Sequence, residues 1–181
     1  GNVLEMCVDG VYGEFETCTG ATVCDAAAEG CVSVGVSYDV TETMNDWTTH
    51  SSYSGANSTS HGDAGTISAV ARVNTSSPLI DSKTAVLNGG SIYNTSITIS
   101  GMKNGIGTLS FQYASWGKSG DSATLTITDG TKTETLSVKA TDTAAVTKTI
   151  TFNNKSASTV TIKPVSGGRI LIDNVRWTNA Q

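Results

Sequence analysis

A handful of side chains in this chain could do chemistry at a surface. Sugar binding needs exposed aromatic faces that stack on the apolar side of a pyranose, with polar groups beside them for the hydroxyls. The aromatic candidates are Trp116, Tyr53, Trp47 and Tyr93, with Gln112 as a polar companion. Trp116 ranks first, because in an extended strand it shares a face with Gln112. Trp47 and Tyr93 are better explained as core or rim packing, and Trp177 falls in phase with Leu171 and Val175 as a core residue. Asp173 shares that last face, and a lone carboxylate in an apolar layer needs a partner: a backbone N–H, a hydroxyl or a Ca2+ ion. Catalysis has no such footing. There is no Gly-x-Ser-x-Gly and no His-Glu-x-x-His, and nothing singles out two of the sixteen Asp and Glu residues as an acid–base pair. His50 and His61 flank a Ser-rich loop and read as exposed loop histidines. The chain reads as a non-enzyme.

The elements that must position these residues are strands. Leu109, Phe111 and Tyr113 alternate with Ser110, Gln112 and Ala114, a period of two that gives a core strand with one polar face. Ala123, Leu125 and Ile127 alternate with threonines, and Asp129-Gly130 turns that strand into a second one. Further strands are expected over Val34–Val40, Ile67–Val73, Thr84–Leu87, Ile92–Ile99, Val146–Phe152, from Val160, and over Arg169–Trp177. The stretch Thr41–Gly65 is a long loop carrying Trp47, His50, Tyr53 and His61, and loops of that length are often functional. The chain holds 28 Thr and 22 Ser among 181 residues. Thr favours strands and Ser turns, so the class is all-β, a sandwich or barrel of about ten strands.

All four cysteines, Cys7, Cys18, Cys24 and Cys31, lie near the start. An even, close-set count without Cys-x-x-Cys or a nearby His reads as two disulfides and an oxidising compartment. Three pairings are open, and the overlapping staple Cys7–Cys24 with Cys18–Cys31 is the preferred one. Residues 1–32 are therefore expected to be a disulfide-stapled module, with the sandwich over 33–181. The net charge of −5 and the lack of a basic cluster exclude nucleic acid and an anionic membrane surface as partners. No apolar run reaches the length of a bilayer span. A start at Gly1, with no leader, suggests a mature product or a fragment. Asn57, Asn74, Asn94 and Asn154 each open an Asn-x-Ser/Thr triplet, so the chain could be a glycoprotein.

Two stretches together carry a family resemblance: Ile99-Ser100-Gly101 through Gly105-Ile-Gly-Thr-Leu-Ser-Phe-Gln-Tyr113, and Arg169-Ile-Leu-Ile-Asp-Asn-Val-Arg-Trp177. The pair resembles the jelly-roll β-sandwich modules attached to secreted bacterial polysaccharide-degrading enzymes and extracellular nucleases. The cysteine stretch resembles short Cys-rich segments that join modules in such proteins. The resemblance implies an antiparallel jelly roll and a secreted, non-catalytic carbohydrate-binding module that targets an attached enzyme or cell surface to polysaccharide. It also implies a structural Ca2+ where the first and last strands meet, which would bring Glu42 or Asp46 to Asp173. The other reading is a structural or adhesive extracellular subunit. It would self-assemble, as a filament or surface layer, through strand edges and the Cys-rich segment, because the edges lack protective Lys or Pro.

Overall fold

The computed structural model describes residues 2–8, 11–18, 22–25, 30–33 and 39–180, with side chains from Asp39 onward. The chain divides into two compact units, Gly1–Ser37 and Tyr38–Gln181.

In the first unit, β1 (Asn2–Val8) pairs antiparallel with β2 (Val11–Cys18), and β3 (Thr22–Asp25) with β4 (Gly30–Ser33). No disulfide bond is found among the described residues, which corrects the expected disulfide-stapled segment. Two backbone ladders stand there instead. Their registers set Cys7 opposite Tyr12, Cys18 opposite Asn2 and Cys24 opposite Cys31, which is not the overlapping arrangement anticipated.

The second unit is an antiparallel two-sheet sandwich, as the alternation of apolar and polar residues implies. Its strands are β5 (Val40–Glu42), β6 (Ala56–Ser60), β7 (Thr66–Val70), β8 (Arg72–Asn74), β9 (Thr84–Asn88) and β10 (Ser96–Ser100). They continue as β11 (Ile106–Ser115), β12 (Ala123–Thr128), β13 (Thr133–Val138), β14 (Val146–Asn154), β15 (Thr159–Gly167) and β16 (Arg169–Trp177). One sheet runs β13-β12-β15-β10-β7-β6. The other runs β14-β11-β16-β9-β8, with β5 also pairing with β16. Of the strand expected over Val34–Val40, residues 34–38 lie outside the described residues. No strand forms around Trp47.

Period two builds the core. Ile67, Ile97, Ile99, Leu125, Ile127 and Ile162 face inward from one sheet. Leu87, Leu109, Phe111, Ile150, Ile172 and Trp177 meet them from the other. The Asp129-Gly130 hairpin forms as read, with Gly130 at φ 91° and the Asp129 carboxylate accepting from the backbone N–H groups of Thr131 and Lys132. β16 breaks its own period. Asn174 sits at φ 49°, and the β11–β16 register shifts there, so that Ser110 faces Arg176 while Gln112 faces Asp173. That is a β-bulge with its extra residue in β16. It puts Val175 and Trp177 in the main core but Leu171 on the opposite face, correcting the expectation that all three share one side.

The main core draws on residues from Val40 to Trp177, all within the second unit. Tyr38–Gln181 expressed alone should therefore melt cooperatively, close to the temperature of the intact chain. Loss of cooperative melting in that fragment would show that Gly1–Ser37 completes the core.

Candidate functional site

The outer face of the β14-β11-β16-β9-β8 sheet carries a second apolar cluster. Cross-strand register lines up Arg72 on β8, Val86 on β9, Leu171 on β16 and Ala114 on β11 as direct neighbours. Val86, Ala114 and Leu171 are at most 1% exposed although they point away from the main core. Tyr53, Ile80 and Trp116, each half-buried, roof them.

Trp116 is the centre of this roof. It follows β11 directly, and its backbone N–H donates to the Arg169 carbonyl at 3.2 Å, so the sheet edge fixes its position. Two guanidinium groups lie within cation–π reach of its indole, Arg169 at 5.0 Å and Arg72 at 5.3 Å from the ring centroid. Arg169 is held by Asp121, which is buried. Its Nε donates to Oδ1 at 2.9 Å and its Nη2 to Oδ2 at 3.0 Å. Burial works to lower the Arg169 pKa, but the hydrogen bonds and charge of Asp121, with a smaller effect from Tyr53, raise it on balance.

Two loops bring in tyrosines. Tyr53 rides on the segment between β5 and β6. The Asn57 side chain closes that segment by accepting from the Thr48 N–H and donating to the Thr48 carbonyl. His50 bridges to Val73 on β8, and its ring packs on Gly55, where a Cβ would stand 2.2 Å from the His50 Cγ. Tyr93 closes a turn by donating its N–H to the Gly90 carbonyl at 2.9 Å. The two phenol rings meet at 4.8 Å with a 56° tilt, and Tyr93 is 41% exposed. The result is an open aromatic platform framed by two arginines on a rigid sheet. The hollows on the other sheet are of a different kind. One, for example, is lined by Ala56, Ser58, Ser68, Val70, Ser96 and Thr98, with no aromatic ring.

The sequence candidates divide accordingly. Trp116 and Tyr53 stand together on this face. Gln112 lies farther along β11, and its Oε1 accepts from Asn174 Nδ2 at 2.8 Å, so it braces the bulge. Trp47 is 3% exposed, with its indole N–H on Thr59 Oγ1, and offers no ring face to a ligand. Tyr93, read as packing, lies exposed on the platform. Neither histidine is an exposed loop residue, since His50 packs on Gly55 and His61 stands edge-on to Trp177 with Nε2 3.4 Å from Glu42 Oε2. Of the Asn-x-Ser/Thr triplets, Asn94 is exposed and Asn74 buried, while Asn57 and Asn154 bond Thr48 and Asp129. Sequence reasoning missed Arg72, Arg169 and Asp121. The available signal was scarcity: the chain has three arginines, and two of them sit at this one tryptophan.

The carboxylates proposed as metal ligands come together only in part. Asp173 is fully buried on the outer side of β16. Its Oδ1 accepts from the Asn174 N–H at 2.7 Å and its Oδ2 from the Thr84 hydroxyl at 3.1 Å. Burial pushes its pKa up to about 7, the negative charges of Asp81 and Glu42 add to the rise, and the two hydrogen bonds oppose it. Glu42 is buried and accepts from the Met44 N–H at 2.7 Å. Asp46 is exposed on the loop. Among the described residues, no three His, Cys, Asp or Glu side chains converge as a metal site. Both Asp173 oxygens and Glu42 Oε1 already accept hydrogen bonds, and protonation of Asp173 relieves its buried charge without a cation.

No family model matches this chain, and no curated protein matches it. Solved structures do. The K2 cleaved adhesin domain of Lys-gingipain is similar with a TM-score of 0.47 and 15% identity, over 77% of this chain and 97% of that one. The CBM22-1 xylan-binding domain of Paenibacillus barcinonensis Xyn10C is similar with a TM-score of 0.47 and 11% identity, over 82% and 99%. The family 11 carbohydrate-binding module of Clostridium thermocellum, in complex with a β-1,3-1,4-mixed-linked tetrasaccharide, is similar with a TM-score of 0.40 and 13% identity, over 78% and 97%. Among the described residues, no helix is long and apolar enough to cross a membrane.

The raised pKa of Asp173 has a definite sign. Between its ordinary value of 3.8 and about 7, the folded chain holds a proton that the unfolded chain has lost. Stability from this group is therefore full below pH 4 and falls as the pH rises to 7, at about 1.4 kcal/mol per unit of separation. Asp173→Asn should remove that fall. Thermal melts of the two proteins should coincide near pH 4 and separate in favour of the variant by pH 8, with no effect of EDTA on either. A melting temperature that drops several degrees in EDTA would show that a cation, not a proton, sits between Asp173 and Glu42.

Proposed function

We propose that the outer face of the β14-β11-β16-β9-β8 sheet is a carbohydrate-binding platform, and that the chain is a non-catalytic, extracellular module bringing an attached enzyme or cell surface to a polysaccharide. The observation that carries this reading is Trp116, half-buried with Tyr53 over the Val86–Leu171–Ala114 floor, with two guanidiniums within cation–π reach and Tyr93 packed against Tyr53. A pyranose has an apolar face for the rings and hydroxyls for the arginines and phenols. Such half-wet aromatic surfaces suit it. An exposed surface also suits a long polymer, which passes over it without being enclosed.

A second reading is self-assembly through strand edges. It draws on β6, Ala-Asn-Ser-Thr-Ser, which ends its sheet with neither a charged residue nor a proline. Isolated monomers in electron micrographs of concentrated protein would count against it.

Carbohydrate binding is tested by a glycan array together with depletion on insoluble polysaccharides. Trp116→Ala should weaken binding about tenfold or more, since stacking of an aromatic ring is worth about 0.5–1.5 kcal/mol beyond the area it buries. Tyr93→Ala should weaken it less and, being exposed, should leave the melting temperature unchanged. Binding that survives both substitutions would place the ligand elsewhere.

A further inference from the structure

We infer that this platform selects acidic polysaccharides, with Arg72 receiving the carboxylate of a uronic acid residue. The inference rests on the reading that the face binds carbohydrate. It comes from an asymmetry between the two arginines at Trp116. Arg169 is neutralised, since Asp121 takes its Nε and Nη2 in a two-point pair and also accepts the backbone N–H groups of Arg169 and Lys118. Asp121 is thereby fully engaged and has nothing left for a second cation.

Among the described residues, Arg72 has no such partner. It is half-buried, and its one hydrogen bond among the described residues runs from Nη2 to Asn74 Oδ1 at 3.3 Å. Its Nε is buried without any acceptor. No ion pair to Arg72 is present among the described residues. A guanidinium has five N–H donors, and leaving a buried one unpaired carries a desolvation cost. Among the described residues, from Asp39 onward, no carboxylate is spent on this cation. Cation–π contact offsets part of the cost and holds the guanidinium over the Trp116 ring, 5.3 Å from its centroid.

The missing counter-charge therefore belongs to what lies on the platform. A planar carboxylate matches the guanidinium fork with two parallel hydrogen bonds. In a hexuronate the carboxylate is borne on the ring itself, so a sugar packed against the aromatic cluster presents it within reach of Arg72. A sulfate ester, another anion found on sugars, also accepts two guanidinium hydrogen bonds, but it stands off the ring on its ester oxygen.

The test compares polygalacturonate, alginate and glucuronoxylan with their carboxyl-reduced forms, which keep the linkages and lose the charge. Dextran sulfate serves as the other anion. Calorimetry or affinity electrophoresis on the full chain should show at least one acidic polymer bound about tenfold or more tightly than its reduced form. Arg72→Gln should abolish that preference, lowering the affinity for the acidic polymer about tenfold further than the affinity for its reduced form, and Arg72→Lys should restore part of it. Equal affinity for acidic and reduced forms, a preference that persists in Arg72→Gln, or tighter binding of dextran sulfate would overturn the inference and leave the platform standing. Failure to bind any polymer, neutral or acidic, would overturn both.

Discussion

The sandwich turns on one extra residue in its central strand. β16 lies between β11 and β9, so its side chains serve the main core on one side and the platform on the other. A regular strand of this sequence would set Val175 and Trp177 on the same side as Leu171. Two large core residues would then leave the core, or the apolar floor would lose Leu171. The left-handed backbone at Asn174 resolves the conflict. It is stabilised twice, by the Asn174 N–H on Asp173 and by the Asn174 amide on Gln112. Trp177 can then fill the core and donate its indole N–H to the Ala64 carbonyl at 2.8 Å, while Leu171 supports Trp116. A residue other than Gly at positive φ costs free energy, and here local hydrogen bonds offset it.

The two outer faces show what the same alternation produces from different residues. Across all six strands of the other sheet, Ser58, Ser68, Thr98, Thr161, Thr128 and Thr133 are successive cross-strand neighbours. Short hydroxyl side chains there need no roof, because they are compatible with water. On the platform face, Val86, Leu171 and Ala114 occupy the equivalent outward positions and do need one. Covering this patch takes residues from three separate segments, namely Tyr53, Ile80 and Trp116. Thr84 links the Ile80 segment to the bulge, since its hydroxyl accepts from the Ile80 N–H and donates to Asp173. The bulge, the buried carboxylate and the roof of the platform thus form one connected network.

The sequence was legible where period two ran unbroken. The core strand at Leu109–Tyr113, the Asp129-Gly130 hairpin and the outward phase of Trp116 all follow from local pattern alone. The bulge was not legible, because Ile-Leu-Ile-Asp-Asn-Val-Arg-Trp alternates acceptably in either phase, and only pairing with β11 decides. Trp47 and Tyr93 shared a packing explanation on paper, yet one is buried and the other exposed, since loop geometry is set by tertiary contacts. The pairing of Arg169 with Asp121 joins residues 48 positions apart, a separation that no local signal spans.

Rigidity gives the platform its significance. Binding costs free energy whenever side chains or loops must be ordered, so a surface ordered in advance retains more of its contact energy. Here the ordering is built into the fold. The backbone of Trp116 is tied to β16, and its indole rests on a floor made by three adjacent strands. Arg169 is fixed by four hydrogen bonds' worth of Asp121 contacts to its own group and the neighbouring turn. Tyr53 lies on a loop, but that loop is closed by paired Asn57–Thr48 hydrogen bonds and by the packing of His50 on Gly55. Arg72 is the exception, because its guanidinium is positioned by Trp116 and Asn74 while its Nε has no acceptor among the described residues. The face thus combines fixed aromatic rings with a guanidinium that has no carboxylate partner among the described residues.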